Sequence, residues 1–191
     1  MKIGIFGGSF NPPHNMHKNI ALELIENEYL DNIIYVPTGD SYNKKGLISF
    51  NDRYNMLKLM IKNNSKLSLS DIGNKNEYSY TYQVLDYFNN TNDDIYFICG
   101  TDNLNEFDSW RKYEYVLENY KLLVIKRNDD NLEEILKKYE KYKNNIIIAN
   151  IESRVLSSTT IRNNIEKEEI KEYLDKDVYE YIKKKKLYNE R

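Results

Sequence analysis

A single cysteine, Cys99, excludes an internal disulfide and any zinc site built on cysteines. It closes the apolar run IYFICG, which is the setting of a buried structural thiol. No apolar run approaches the roughly 18 residues that a membrane span requires. The opening MKIGIFGG is too short an apolar run for a secretory signal, so a reducing cytoplasm is the expected location. The formal net charge is −2, which gives no global attraction for nucleic acid, although a local basic pocket stays open. KKKK at 183–186 reads as the solvated face of a terminal helix. Repeats, linkers and low-complexity segments are also missing, so one domain over residues 1–191 is expected. What is present is 40% hydrophobic and 30% charged residues, the balance of a soluble globular protein.

Short apolar runs alternate with segments of helical period. Strands are expected at 2–6, 32–37, 66–70, 94–100, 121–127 and 145–150. Helices are expected over 17–28, 52–62 (with Ser49 or Asn51 as cap), 79–88, 131–143, 159–166 and 175–187, and in pieces over 102–117 with a break near Asp108. Tyr80 and Phe107 read as packing residues. The alternation predicts an α/β class fold, Rossmann-like, with a mainly parallel sheet and helices on both faces. YFIC, LLVI and IIIA are continuous apolar runs, as strands covered on both faces should be. In such sheets a ligand sits beyond the carboxyl ends of the strands.

Both histidines of the chain, His14 and His17, fall in GIFGGSFNPPHNMHKN at 4–19, between the first strand and the first helix. Gly7 and Gly8 let the backbone approach a ligand and take angles that other residues avoid. The following helix aims its unpaired N–H groups and positive dipole end at the same spot, which makes an anion site. A dinucleotide loop would need G-x-G-x-x-G and an acid after the second strand, where the chain reads VPTG. A metal centre would need further ligands, and Glu23 is two turns away and out of phase. The third reading puts both imidazoles on the phosphates of a nucleotide, as donors to charge that builds up in phosphoryl transfer.

GGSFNPPH resembles the (T/H)xGH signature of the nucleotidyltransferase superfamily, in the form seen in nicotinate-nucleotide adenylyltransferases. Six further segments are similar to family elements in the right order. VPTGDSYNKKG at 36–46 resembles the segment ending Pro-Pro-His-Lys, and DRYNML at 52–57 the R-x-x-M-L helix. EYSYT at 77–81 resembles the S-Y-T element, and ICGTDNLNEFDSW at 98–110 the G-x-D-x-L-x-x-F-x-x-W element. LSSTTIR at 156–162 resembles (I/L)-S-S-T-x-I-R, and VYEYIKKKKLY at 178–188 the closing helix.

The resemblance implies transfer of AMP from ATP to nicotinate mononucleotide, giving nicotinate adenine dinucleotide and pyrophosphate. It implies direct in-line attack with no covalent intermediate. The nucleophile is then already a phosphate anion, so the protein's work is to align two anions and neutralise the leaving pyrophosphate. Mg2+ would be held by ATP phosphates and water, with no metal site of protein ligands. The implied partners are ATP and the mononucleotide, with no nucleic acid and no membrane; a homo-oligomer is left open.

By the same resemblance His14 and His17 contact the triphosphate, His17 nearer the α-phosphate, beside main-chain N–H groups of Gly8, Ser9 and Phe10. Ser158, Thr159 and Arg162 hold the β- and γ-phosphates, although a plain helix cap also accounts for SSTT. Lys44 binds the acceptor phosphate or is a solvated loop lysine. Thr81 and Asp102 contact ribose and substrate. Trp110 stacks on the pyridine ring or packs in the core. Arg127, ending its strand, faces the site, and Arg111 is a further candidate. Departures from the family pattern are Asp40, Ser41, Tyr42 and Asn43, where Gln/Asn, Pro, Pro and His are usual, and a looser loop is expected there. Asn11 replaces a common Asp, and Asn15-Met16 replaces the x-Gly before the second histidine. The alternatives are adenylyltransferases for nicotinamide mononucleotide or pantetheine phosphate.

Overall fold

The computed structural model describes residues 1–42, 44–89, 92–126, 131–151 and 156–189. Its strands are β1 (Lys2–Gly8), β2 (Asn32–Pro37), β3 (Leu67–Leu69), β4 (Asp94–Gly100), β5 (Lys121–Ile125) and β6 (Ile146–Ala149). Its α-helices are α1 (Asn15–Glu26), α2 (Phe50–Ile61), α3 (Thr81–Phe88), α4 (Thr101–Asn105), α5 (Tyr113–Asn119), α6 (Leu132–Lys137), α7 (Ser158–Asn163) and α8 (Lys176–Lys185). The strands form one six-stranded sheet in the order β3-β2-β1-β4-β5-β6. Every neighbouring pair is parallel.

Alternation along the strands sorts the apolar side chains onto two faces. Phe6, Ile33, Tyr35, Ile98, Leu123 and Ile125 join α1, α2, α7 and α8 in one core cluster. Ile5, Val36, Phe97, Cys99, Leu122 and Val124 join α3, α4, α5 and α6 in the other. Cys99 is buried, as its apolar run suggested. The nearly continuous apolar runs of β4 and β5 follow from this two-sided burial. Among the described residues no helix is long and apolar enough to cross a membrane.

Three details depart from the expectation. The helix expected over 131–143 is α6 followed by a 3-10 helix at Glu140–Asn145. The buried apolar side chains there are Tyr139 and Tyr142, three apart, which suits three residues per turn. A further 3-10 helix at Glu168–Tyr173 was not foreseen, because only Ile170 is buried in it. Tyr80 is exposed whereas Phe107 is fully buried.

Candidate active site

β1 is the switch point of the sheet. Its neighbours are β2 and β4, and the chain leaves on opposite sides to reach them, so a crevice forms beyond the carboxyl ends. A cavity of about 920 Å3 opens there. Its walls carry Gly8, Ser9, Phe10 and His17 from the first turn, Lys44 from the following loop, Thr81, Asp102 and Trp110 from across the sheet, and Ser158 from α7. Of the residues singled out from the sequence, His14, Thr159 and Arg162 lie outside this wall, and Arg127 lies outside the described residues.

The turn after β1 is built differently from the expectation. Gly7 and Gly8 continue the strand opposite Val36 and Pro37, and the left-handed residue is Phe10, with φ 46°. That conformation costs a residue with a Cβ about 1–2 kcal/mol. The cost is offset by burial of the Phe10 ring against Phe6, Tyr35 and His17, at centroid distances of 5.7, 5.6 and 5.0 Å. The small size of Gly8 matters more than its freedom, since a Cβ there would stand 3.2 Å from the Phe10 ring.

His14 is the N-cap of α1 and is buried. Its main-chain N–H donates to Nδ1 of His17 at 3.1 Å, and the two rings stack at 3.7 Å between centroids. With Nδ1 accepting, a neutral His17 carries its proton on Nε2 and becomes a donor through that atom. The Tyr35 hydroxyl donates to the His17 carbonyl at 2.9 Å and steadies the first turn of the helix. Burial pushes the Tyr35 phenol well above its ordinary range, so it stays a donor.

α7 closes the same end. Ser157, which the sequence reading did not single out, caps it by accepting from the Thr160 N–H at 3.1 Å. The Ser158 hydroxyl donates to the Pro12 carbonyl at 2.9 Å. Arg162 is buried; its Nη1 donates to the Asn11 carbonyl at 2.8 Å and its Nη2 to Thr159 Oγ1 at 3.1 Å. It also borders a second cavity, about 410 Å3, shared with Tyr188.

Sequence reasoning missed the frame beneath the cleft. Arg53 is fully buried inside α2. It donates through Nε to the Ile48 carbonyl at 3.0 Å and through Nη1 to the Ser9 carbonyl at 3.0 Å, and Nη2 lies 3.5 Å from Asp40 Oδ1. Burial lowers the guanidinium's pKa and Asp40 opposes that. Asp40 Oδ1 also accepts from the Phe50 N–H at 2.6 Å, which joins the two ends of the loop. Buried Asn11 donates to the Gly46 carbonyl at 2.8 Å and accepts from the Ile48 N–H at 3.3 Å and the Tyr188 hydroxyl at 3.0 Å. An aspartate could not make the first of these bonds. The loop that lacks the family prolines is therefore tied by side chains at both ends. Gly73 completes its footing, because a Cβ there would meet the Pro37 carbonyl at 2.3 Å. Lys44 crosses the cleft mouth and donates from Nζ to Ser9 Oγ at 3.2 Å. The signal available in the sequence was the R-x-x-M-L likeness around Arg53, which marks the residue without showing its partners.

The far end is aromatic. Trp110 is half-buried, packed on Phe107 at 4.8 Å and edge-on to Phe97 at 5.9 Å, and it still reaches the cavity wall. One side of it packs in the core, and another faces the cleft. Tyr80 and Arg111 flank it on the wall, with the guanidinium carbon 4.9 Å from the Tyr80 ring centroid. Asp102 and Glu106 supply negative charge on the same side.

Residues 5–164 match the family model described as Cytidylyltransferase-like. A protein of Clostridium acetobutylicum named "Probable nicotinate-nucleotide adenylyltransferase" is 40% identical, with 98% of each chain covered. One of the same name from Clostridium novyi is 40% identical over 91% of each. Among solved structures, the nicotinic acid mononucleotide adenylyltransferase of Plasmodium falciparum complexed with NaAD superposes with a TM-score of 0.83 at 27% identity, covering 98% of this chain and 97% of that one. The same enzyme complexed with APC gives a TM-score of 0.81 at 27% identity over the same shares. By these matches the chain belongs to the nicotinate-nucleotide adenylyltransferase family of cytidylyltransferase-like nucleotidyltransferases.

Proposed function

We propose that this chain transfers AMP from ATP to nicotinate mononucleotide, releasing pyrophosphate and forming nicotinate adenine dinucleotide. The observation that carries the reading is one cavity with two unlike ends. At one end Ser9, His17, Lys44 and Ser158 surround the N-terminus of α1, and at the other Trp110 and Tyr80 offer aromatic surface. The first suits phosphates and the second a flat ring. The names of the relatives and the ligands of the Plasmodium falciparum structures support the same pairing of substrates.

In this mechanism the phosphate of the mononucleotide attacks the α-phosphorus of ATP in line, and pyrophosphate leaves. His17 donates from Nε2 to the α-phosphate oxygens as charge grows on them. Its ring is preset by the His14 N–H and walled by Phe10, so little reorganisation accompanies the reaction. His14 caps the helix whose N–H groups face the same phosphates. Main-chain N–H groups of Gly8, Ser9 and Phe10 line the cradle, and Ser158 receives the β- and γ-phosphates, with Thr159 beside it accepting from Arg162. Arg162, seated behind the turn on the Asn11 carbonyl, supplies fixed positive charge there. Lys44 draws the acceptor phosphate toward Ser9, while Thr81 and Asp102 orient its ribose and Trp110 stacks its ring.

Among the described residues no group of three or more His, Cys, Asp or Glu could hold a metal ion. We place Mg2+ with ATP, where it would shield the phosphate charge. Every step above is assigned to groups of this chain. The cytoplasm, which supplies ATP, is the compartment we assign.

The test offers nicotinate mononucleotide, nicotinamide mononucleotide and phosphopantetheine separately, with ATP and Mg2+, and reads pyrophosphate. Release is expected with the first, less with the second and none with the third. Release with phosphopantetheine alone overturns the assignment.

A further inference from the structure

We propose that the Arg111 side chain sets the choice of nicotinate over nicotinamide mononucleotide by pairing with the ring carboxylate. This rests on the acceptor being a pyridine mononucleotide bound at Trp110. The cleft divides its basic groups: His17 and Lys44 stand by Ser9 and Phe10, and Arg111 stands by Trp110 and Tyr80. The first group matches the phosphates. Arg111 lies at the ring end, where a pyridinium already carries positive charge. A cation there repels a pyridinium bearing a neutral carboxamide and favours one bearing a carboxylate, so a single residue both attracts one substrate and penalises the other.

The geometry suits that task. Arg111 donates from Nη1 to the Tyr80 hydroxyl at 3.3 Å and lies over the Tyr80 ring. The contact with the Tyr80 ring restrains the fork, and the side chain stays exposed on the cleft wall. Among the described residues no carboxylate pairs with it, whereas Arg53 and Arg162 are engaged on main-chain carbonyls. Asp102 and Glu106 on the same wall would repel a carboxylate arriving without such a counter-charge. A charge-assisted fork is the strong, geometrically selective way to hold a carboxylate.

Wild type, Arg111→Met and Arg111→Lys are compared by kcat/KM for the two mononucleotides at saturating ATP. Binding of each mononucleotide without ATP is read from the emission of Trp110, the only tryptophan in the chain. Arg111 is exposed, so both variants are expected to fold. For Arg111→Met the nicotinate-to-nicotinamide ratio should fall at least about tenfold, about 1.4 kcal/mol, with the loss in KM for nicotinate mononucleotide and in its quenching of Trp110. Arg111→Lys, keeping charge without the fork, should fall between. An unchanged ratio overturns the inference and assigns the choice to main-chain N–H groups; equal losses on both substrates overturn it as well. Wild type that releases no pyrophosphate with nicotinate mononucleotide fails the functional reading itself. Active wild type with an unaltered Arg111→Met ratio fails only the role of Arg111.

Discussion

The two ends of the cleft are held in place by different means. At the phosphate end two arginines are buried and bonded to main-chain carbonyls, Arg162 on Asn11 and Arg53 on Ser9 and Ile48, and half-buried Ser158 is bonded to Pro12. At the ring end Tyr80 and Arg111 are exposed and hold one another through a ring face and one hydroxyl. The contrast teaches where precision is required. Groups that meet charge developing in a transition state gain from being fixed beforehand, because nothing then has to reorganise as the reaction proceeds. Groups that admit and sort a substrate can stay accessible.

The largest expected effect tests the fixed end. His17→Ala should lower kcat about 100-fold or more, the scale of losing one preset transition-state donor, with little change in the thermal midpoint. An unchanged kcat in steady-state pyrophosphate release would remove His17 from the chemistry and break the contrast. Next, Arg53→Met should cost about 2–4 kcal/mol of stability, because it strands buried carbonyl groups. It should also raise KM for the mononucleotide through the loosened loop. Arg111→Met at the exposed end should change the unfolding free energy, read by denaturant titration, by less than about 0.5 kcal/mol. Equal shifts for the two variants would erase the distinction.

What the sequence disclosed follows the same division. β4 and β5 were legible because two-sided burial writes itself as an unbroken apolar run. The His14–His17 turn was legible because its parts are neighbours in the chain. Arg53 and Asn11 were not read as a frame, because their partners lie far off in sequence: 44 residues separate Arg53 from Ser9, and 177 separate Asn11 from Tyr188. Spacing carries no trace of such bonds. Phe10 shows a subtler loss: two glycines stand beside it, and the positive φ still falls on the phenylalanine, since tertiary packing of its ring outweighs local preference. The six residues at 138–143 that were expected to extend the α6 helix failed for a local reason, the three-residue spacing of Tyr139 and Tyr142.

Loss of a single hydrogen bond sharpens the comparison within the frame. Tyr188→Phe removes one hydrogen bond to Asn11 and should cost about 1 kcal/mol. Burial raises the Tyr188 phenol above its ordinary range. Its folded pKa then exceeds the unfolded value of about 10, so its contribution is complete below that pH and is lost as pH climbs beyond it. The decline of stability above pH 10 should be shallower in Tyr188→Phe than in wild type; parallel curves would contradict a buried, protonated phenol.

The central claim is a single displacement at the α-phosphorus with no protein atom as nucleophile. It is tested most directly by the stereochemical course with ATP carrying one defined α-thiophosphate configuration and nicotinate mononucleotide as acceptor. One in-line attack predicts inversion at phosphorus in the dinucleotide product. Retention would mean two displacements through an adenylylated protein and would contradict the account.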